Sequence, residues 1–270
     1  MAVAAQTLLF PEPTPAPITA LPSVRVQSGD IWQLGRHRLL CGDSAKARDV
    51  KRLMAGAQAH AVLTDPPYNV GLRYDGAYAG QDNKTPAEYG RWLRRALRHA
   101  ESRLAPGSLV FVWQAAANVQ HYHRWFAGRD WRIFAGCKNF VQLRRARWME
   151  YAFDPVVCWQ YGEGKRRSII RDWHVGITSN TKRTPDRVIR SGHPCPRPLD
   201  TLEWLCEQVV AAGEIIYDGF LGSGTTMIAC ERTGRTAYGI EIEPRYCDII
   251  LRRWEQATGQ TTILLERANS

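Results

Sequence analysis

The sequence lacks any long apolar run. Nowhere in its 270 residues is there a stretch near the 18 to 20 uninterrupted apolar residues, roughly, that a helix needs to cross a bilayer, so no membrane-spanning helix is expected. Paired cysteines are lacking too. The seven present are an odd number without a C-x-x-C spacing, which argues against a disulfide framework or a cysteine zinc module and fits reduced thiols in a cytosolic protein. The opening MAVAAQTLLF has no basic segment ahead of its apolar residues, so no secretory signal is read and the cytoplasm is the expected compartment. Histidine is sparse, and the only H-x-H pair, His121 and His123, has no further ligand near it, so no metal is expected. Negative charge is also short. Against 26 Asp and Glu stand 36 Lys and Arg, a formal charge of +10, and such an excess favours a polyanionic partner.

What is present suffices for a large core. With 44% apolar residues, a chain of this length can bury a core without staples. Residues 10–22 carry five prolines and read as an extended tail. The window 129–190 holds 14 Lys and Arg against 6 Asp and Glu, interleaved with Trp131, Trp148, Trp159 and Trp173. That mixture suits a groove that neutralises phosphates and packs on bases, although a solvated basic face with core tryptophans has the same composition.

Short apolar runs ending in polar or glycine punctuation recur at 37–43, 59–65, 109–113, 214–218 and 236–242, the pattern of strands buried on both faces. Helices are predicted between them, at 44–56, 86–104, 116–127, 199–212, 223–234 and 245–257. The clearest opens with Thr85, Pro86 and Glu88, a capping box with proline at the first helical position; its stripe from Tyr89 and Trp92 to Leu104 is read as core. The runs near 131–140 and 154–161 could close the sheet as an antiparallel pair. The alternation predicts a doubly wound, mostly parallel α/β fold.

Two stretches carry chemistry. The first is Thr64-Asp65-Pro66-Pro67-Tyr68, at a predicted strand end, where open α/β sheets place their ligands. Two prolines stiffen the turn and remove two N–H donors, leaving acceptors: the Asp65 carboxylate and the Pro66 carbonyl. An exocyclic amine, with two N–H donors, fits that pair. Acceptors on both hydrogens favour a pyramidal nitrogen whose lone pair can meet an electrophile. Tyr68 offers a face to a base that has left its duplex. A plain Pro-Pro turn with a capping Asp is the alternative.

The second is Asp218-Gly219-Phe220-Leu221-Gly222-Ser223-Gly224-Thr225-Thr226, a strand running through a glycine turn into a helix. Glycines permit close backbone approach, and a helix N-terminus offers unpaired N–H groups to an anion. The third glycine of a dinucleotide fingerprint is replaced by Met227, and no lysine follows Gly224 as a phosphate-cradling P-loop requires. About twenty residues on, the next strand ends at Glu241, placed to accept ribose hydroxyls, with Glu243 as the fallback. Together these describe S-adenosylmethionine about as well as a dinucleotide, without pyrophosphate.

D-P-P-Y with F-x-G-x-G resembles the S-adenosylmethionine-dependent DNA methyltransferases that modify exocyclic amino groups, N6 of adenine or N4 of cytosine. D-P-P-Y precedes the glycine turn by roughly 150 residues, similar to the permuted order of that superfamily's beta class. The segment 34–43 resembles the family's opening strand, and 193–199 resembles its H-P-T-Q-K-P segment. Residues 246–259 resemble its closing helix. Gly219 stands where a proline is usual, and Cys195-Pro196-Arg197 replaces T-Q-K.

The resemblance implies a tail at 1–29 and a Rossmann-like methyltransferase domain at 30–270 with an inserted target-recognition region at about 129–192. It implies S-adenosylmethionine as cofactor, held by Asp43, Asp65, His193, Pro194, Asp218, Phe220, Gly222, Ser223, Gly224, Thr225, Thr226 and Glu241. Asp65, Pro66, Pro67 and Tyr68 would form the catalytic corner. Double-stranded DNA would be the partner, contacted through Arg144, Arg145, Arg147, Lys165, Arg166 and Arg167, and a homodimer in a restriction-modification setting is the implied assembly. Adenine N6 is preferred because Asp heads the tetrapeptide. Cytosine N4, an RNA or protein amide, and a catalytically silent DNA-binding module are the alternatives.

Overall fold

The computed structural model describes residues 23–70, 83–142, 151–164, 169–176 and 197–267. Its apolar runs form one ten-stranded sheet in the order β10-β1-β2-β9-β8-β3-β4-β6-β5-β7. In chain order the strands are β1 (Ile31–Leu34), β2 (His37–Cys41), β3 (Ala59–Thr64), β4 (Leu104–Trp113) and β5 (Trp131–Gln142), then β6 (Tyr151–Tyr161), β7 (Trp173–Gly176), β8 (Ile215–Asp218), β9 (Thr236–Glu241) and β10 (Ile263–Glu266). Only β1 and β6 run against the rest. The described helices are α1 (Ala47–Met54), α2 (Pro86–Glu101), α3 (Val119–Trp125), α4 (Leu199–Val209), α5 (Thr225–Arg232) and α6 (Pro244–Thr258).

Strand side chains alternate between two cores. Ala61 and Leu63 of β3 face a core that takes in Leu205 of α4, Met227 of α5 and Trp254 of α6. Val62 faces the opposite core, built with Leu53 of α1, Leu93 of α2 and Tyr122 of α3. Burial on both faces explains why the central strands read as unbroken apolar runs. The expected doubly wound α/β fold is what forms, including the antiparallel pair β5 and β6.

The capping box forms as the sequence indicates. Thr85 Oγ1 accepts from the Glu88 N–H, and the Glu88 carboxylate accepts from the Thr85 N–H at 2.9 Å. The helix stops at Glu101, however, and Leu104 opens β4, because Pro106 and Gly107 cannot extend a helix. The implied tail boundary at 29 falls inside a packed segment. Val26 is buried, and the Arg25 guanidinium donates to Asp248 at 2.7 Å and to Glu255 at 2.8 Å on α6. No described helix is long and apolar enough to cross a membrane.

Because β2, β3, β8 and β9 run in parallel, their carboxyl ends lie along one edge of the sheet. Asp43, Asp65, Asp218 and Glu241 stand at or just beyond those ends.

Candidate active site

The proline corner leaves β3 at Thr64, whose buried hydroxyl donates to Asp218 Oδ1 at 2.7 Å and accepts the Gly219 N–H at 3.2 Å. A proline at 219 could not make the second bond, so the glycine found there adds a tie between the two motifs. The corner is also held from outside. The Tyr89 hydroxyl of α2 donates to the Pro67 carbonyl at 2.8 Å, and the Asn118 amide donates to the Tyr68 carbonyl at 2.6 Å. Fully buried Gln114, at the end of β4, donates to Tyr89 and Tyr122 at 3.1 Å each. Past the corner, Asn69 takes a left-handed φ of 56° and its side-chain amide exchanges two bonds with the Lys84 backbone. A polar network buried this thoroughly fixes the corner's geometry before any ligand arrives.

Both Asp65 oxygens are already engaged as the structure stands. Arg197, two residues before α4, donates Nε–H to Asp65 Oδ2 at 2.5 Å and Nη2–H to Oδ1 at 2.8 Å. The same guanidinium lies 5.4 Å from the Tyr68 ring centroid, donates to the Tyr68 hydroxyl, and donates Nη1–H to Asp154 of β6 at 2.6 Å. Asp154 also pairs with Lys138 of β5 at 2.8 Å, while burial pushes its carboxyl above the ordinary range. Neither Arg197 nor Asp154 was singled out from sequence. The replacement of lysine by arginine at 197 was the visible signal, and its partners lie 132 and 43 residues away.

Beside the corner opens a narrow cleft. Asp43, Glu241 and Phe220 line it, as does Pro67, and Ser44, Trp92 and Gly219 complete the wall. Trp92 was read as core; it is half-buried, its ring 5.4 Å from Phe220 and 5.3 Å from the Lys84 ammonium, because its position on α2 faces the cleft rim. The fit at 219 is close, for a Cβ there would come within 3.1 Å of Ser44 Cβ and 3.2 Å of Tyr217 Oη.

The remaining residues of the glycine turn lie outside the lining of this cleft. Asp218 is fully enclosed and accepts from Thr64, Thr226 and the Phe220 N–H; burial outweighs these donors and raises its carboxyl to about 6. Gly224 has φ 82°, and a Cβ there would sit 2.8 Å from Ile250 of α6, so this glycine serves helix entry and packing. Arg253 donates to the Ser223 carbonyl at 3.0 Å and to Thr225 Oγ1 at 3.4 Å. Glu241 Oε2 accepts the Gly222 N–H at 2.7 Å, and Oε1 accepts the Glu243 N–H at 2.9 Å, so the acid braces the turn it faces.

Two acids at strand ends, aromatic and apolar walls, and a glycine floor have the chemistry for a ligand with hydroxyls and a flat ring. S-adenosylmethionine fits this set of groups. His193 and Pro194, Arg144, Arg145 and Arg147, and Lys165, Arg166 and Arg167 lie outside the described residues. His121 packs against Trp125 and is kept neutral-leaning by burial; among the described residues no group of three or more His, Cys, Asp or Glu could hold a metal.

A mostly parallel sheet with an acid-lined cleft and a Pro-Pro corner at its carboxyl edge defines a Rossmann-like α/β protein. Comparison with known proteins narrows the class. The family model described as DNA methylase, of the N6/N4 type, matches residues 147–252. The Type II methyltransferase M.ScaI of Streptomyces caespitosus is 26% identical over 228 residues, 72% of this chain and 74% of its own. Among solved structures, the PvuII DNA methyltransferase (cytosine-N4-specific) superposes with a TM-score of 0.61 at 18% identity, over 79% of this chain and 84% of its own. The M1.HpyAVI-SAM complex gives a TM-score of 0.53 at 17% identity, over 78% and 96%. The chain is similar to the N6/N4 DNA methylases, and S-adenosylmethionine is its expected cofactor.

Proposed function

We propose that the protein transfers a methyl group from S-adenosylmethionine to the exocyclic N6 of adenine in duplex DNA, after the target base has left the helix. One observation carries this reading: Pro67, the second proline of the corner, is itself a wall of the cleft lined by Asp43, Phe220 and Glu241. The corner that would grip an amine and the cleft that would hold the cofactor therefore adjoin, which would bring the acceptor close to the methyl carbon.

S-adenosylmethionine supplies an electrophilic methyl carbon when it is bound. The chain's own residues then do the following. Asp43 and Glu241 accept hydroxyl and amine donors at the strand ends, and Phe220 and Trp92 shield the flat ring from water. Tyr68 stacks the extruded base, at a cost in unstacking of a few kcal/mol. Asp65 and the Pro66 carbonyl accept the two amine hydrogens, which localises the lone pair for in-line attack. As the new N–C bond forms and the bond from methyl to sulfur breaks, the surplus proton on nitrogen passes by way of Asp65 to water. The supporting signal for adenine is the Asp that heads the tetrapeptide. N4 of cytosine is the second reading, because it presents the same two N–H donors and a cytosine-N4 enzyme shares the fold.

The cluster Arg144, Arg145 and Arg147, followed by Lys165, Arg166 and Arg167, is assigned to DNA phosphates and base edges on the strength of the charge window. Pairing of two copies belongs to the same proposal and is read by sedimentation. The deciding experiment incubates purified protein and methyl-labelled cofactor with duplex DNA, RNA and protein, followed by nucleoside mass spectrometry and sequencing that maps modified positions. N6-methyladenine in duplex DNA is expected. N4-methylcytosine moves the assignment to the second reading, and label confined to RNA or protein, or absent throughout, overturns it.

A further inference from the structure

We infer that Arg197 occupies the seat of the target base and is displaced from it onto Asp154 when that base enters; the inference rests on the proposed amine-methylating function. The guanidinium is a flat group whose N–H donors meet both oxygens of Asp65, at 2.5 and 2.8 Å. It lies over the ring of Tyr68, its Cζ 5.4 Å from the centroid. These are the two contacts an extruded aminopurine or aminopyrimidine would make: amine hydrogens to Asp65 and a flat face to Tyr68. The guanidinium and the base cannot hold the same acceptors and the same ring face together.

A place for the displaced side chain already exists. Nη1 donates to Asp154 Oδ2 at 2.6 Å, so rotation of the outer side chain exchanges the two Asp65 bonds for a fuller pairing with Asp154 without stranding the cation. Lys138 shares Asp154 through its other oxygen at 2.8 Å, and it lies in the basic window. A phosphate that draws Lys138 away frees the second oxygen for the arriving guanidinium. Arginine suits the task better than lysine, because a point charge can neither bridge both carboxylate oxygens in a plane nor stack.

Until then, Arg197 keeps both Asp65 oxygens paired, with its own side chain only 13% exposed. The exchange lets the apo protein hold its acid against loose amines and release it to a base that brings equivalent contacts. It predicts that removing the guanidinium favours the extruded state of the DNA rather than the chemical step.

The test uses full-length protein, sinefungin, and duplex DNA with 2-aminopurine at the mapped methylation position, or beside it if the methylated base is cytosine. Arg197→Ala is expected to raise the fluorescence of the extruded base severalfold and to lower KM for DNA, with kcat changed less than KM. Asp154→Asn, which removes the receiving charge, is expected to move both quantities the opposite way, and Arg197→Lys to fall between wild type and Arg197→Ala. Sinefungin affinity and thermal unfolding report whether each variant is folded; if Arg197→Ala is not, Arg197→Lys and Asp154→Asn decide. Unchanged or lower fluorescence in a folded Arg197→Ala, or a loss confined to kcat, overturns the displacement. A wild-type protein that methylates no amine sinks the underlying reading instead, so the two failures are distinct.

Discussion

Asp65 stands at the proposed amine-gripping corner, and its substitution would separate grip from cofactor binding. Asp65→Ala is expected to lower methyl transfer by at least about 10²-fold, as loss of a group preorganised at the reacting atoms does. Sinefungin affinity, measured by calorimetric titration, should stay close to wild type, because the cleft walls are contributed by other residues. Asp218 makes a different prediction. Its folded carboxyl is raised from 3.8 to about 6 by burial, so between those values the native state holds a proton that the unfolded chain releases. That contribution to stability is present at pH 4 and is lost as pH rises toward 6, by about 1 to 3 kcal/mol. Urea unfolding across this range should show a shallower decline for Asp218→Asn than for wild type; parallel curves would contradict the assignment. D-P-P-Y and the glycine turn were legible residue by residue because proline and glycine have few conformations and their consequences are local. Arg197, Asp154 and Trp92 were not, since their importance comes from partners distant in sequence and from the face of a helix that a cleft happens to leave open.

Among the elements, β9 and the glycine turn are packed tightly enough that one methyl group should be felt. A Cβ on Gly239 would fall 2.2 Å from Leu221 Cδ1 and 2.5 Å from its Cγ, and Leu221 is also tied to the Ile240 carbonyl at 3.0 Å. Gly239→Ala is expected to cost roughly 1 to 3 kcal/mol by overpacking. It should also weaken sinefungin binding, because Leu221 lies between Phe220 and Gly222 and cannot move alone. Calorimetry of the variant beside urea titration checks both, and an unaltered affinity with lowered stability would show that the turn absorbs the shift. The central strands and the main helices were readable because two-sided burial and the 3.6-residue period leave strong patterns. β1, β7 and β10 were missed. Each has four residues, and β7 and β10 are largely exposed at the sheet's two ends, where no long apolar run forms.

For the whole molecule, charge makes the prediction. A chain at +10, with an excess of eight cations between 129 and 190, should bind duplex DNA with a steep dependence on salt. If six phosphates are neutralised, affinity should fall by about 10³-fold between roughly 50 and 200 mM monovalent salt. Fluorescence anisotropy over that range reads the slope, and a flat response would remove the basic window from the interface. Composition could announce this partner class but not its base sequence, because base-edge contacts depend on individual side-chain positions that a charge count does not hold. The Thr64 hydroxyl has one further consequence. It joins two carboxyl-terminal strand ends 154 residues apart, donating to Asp218 while accepting from Gly219. Should filling the corner or the cleft shift that tie, the influence must be equal in both directions, as thermodynamic reciprocity requires.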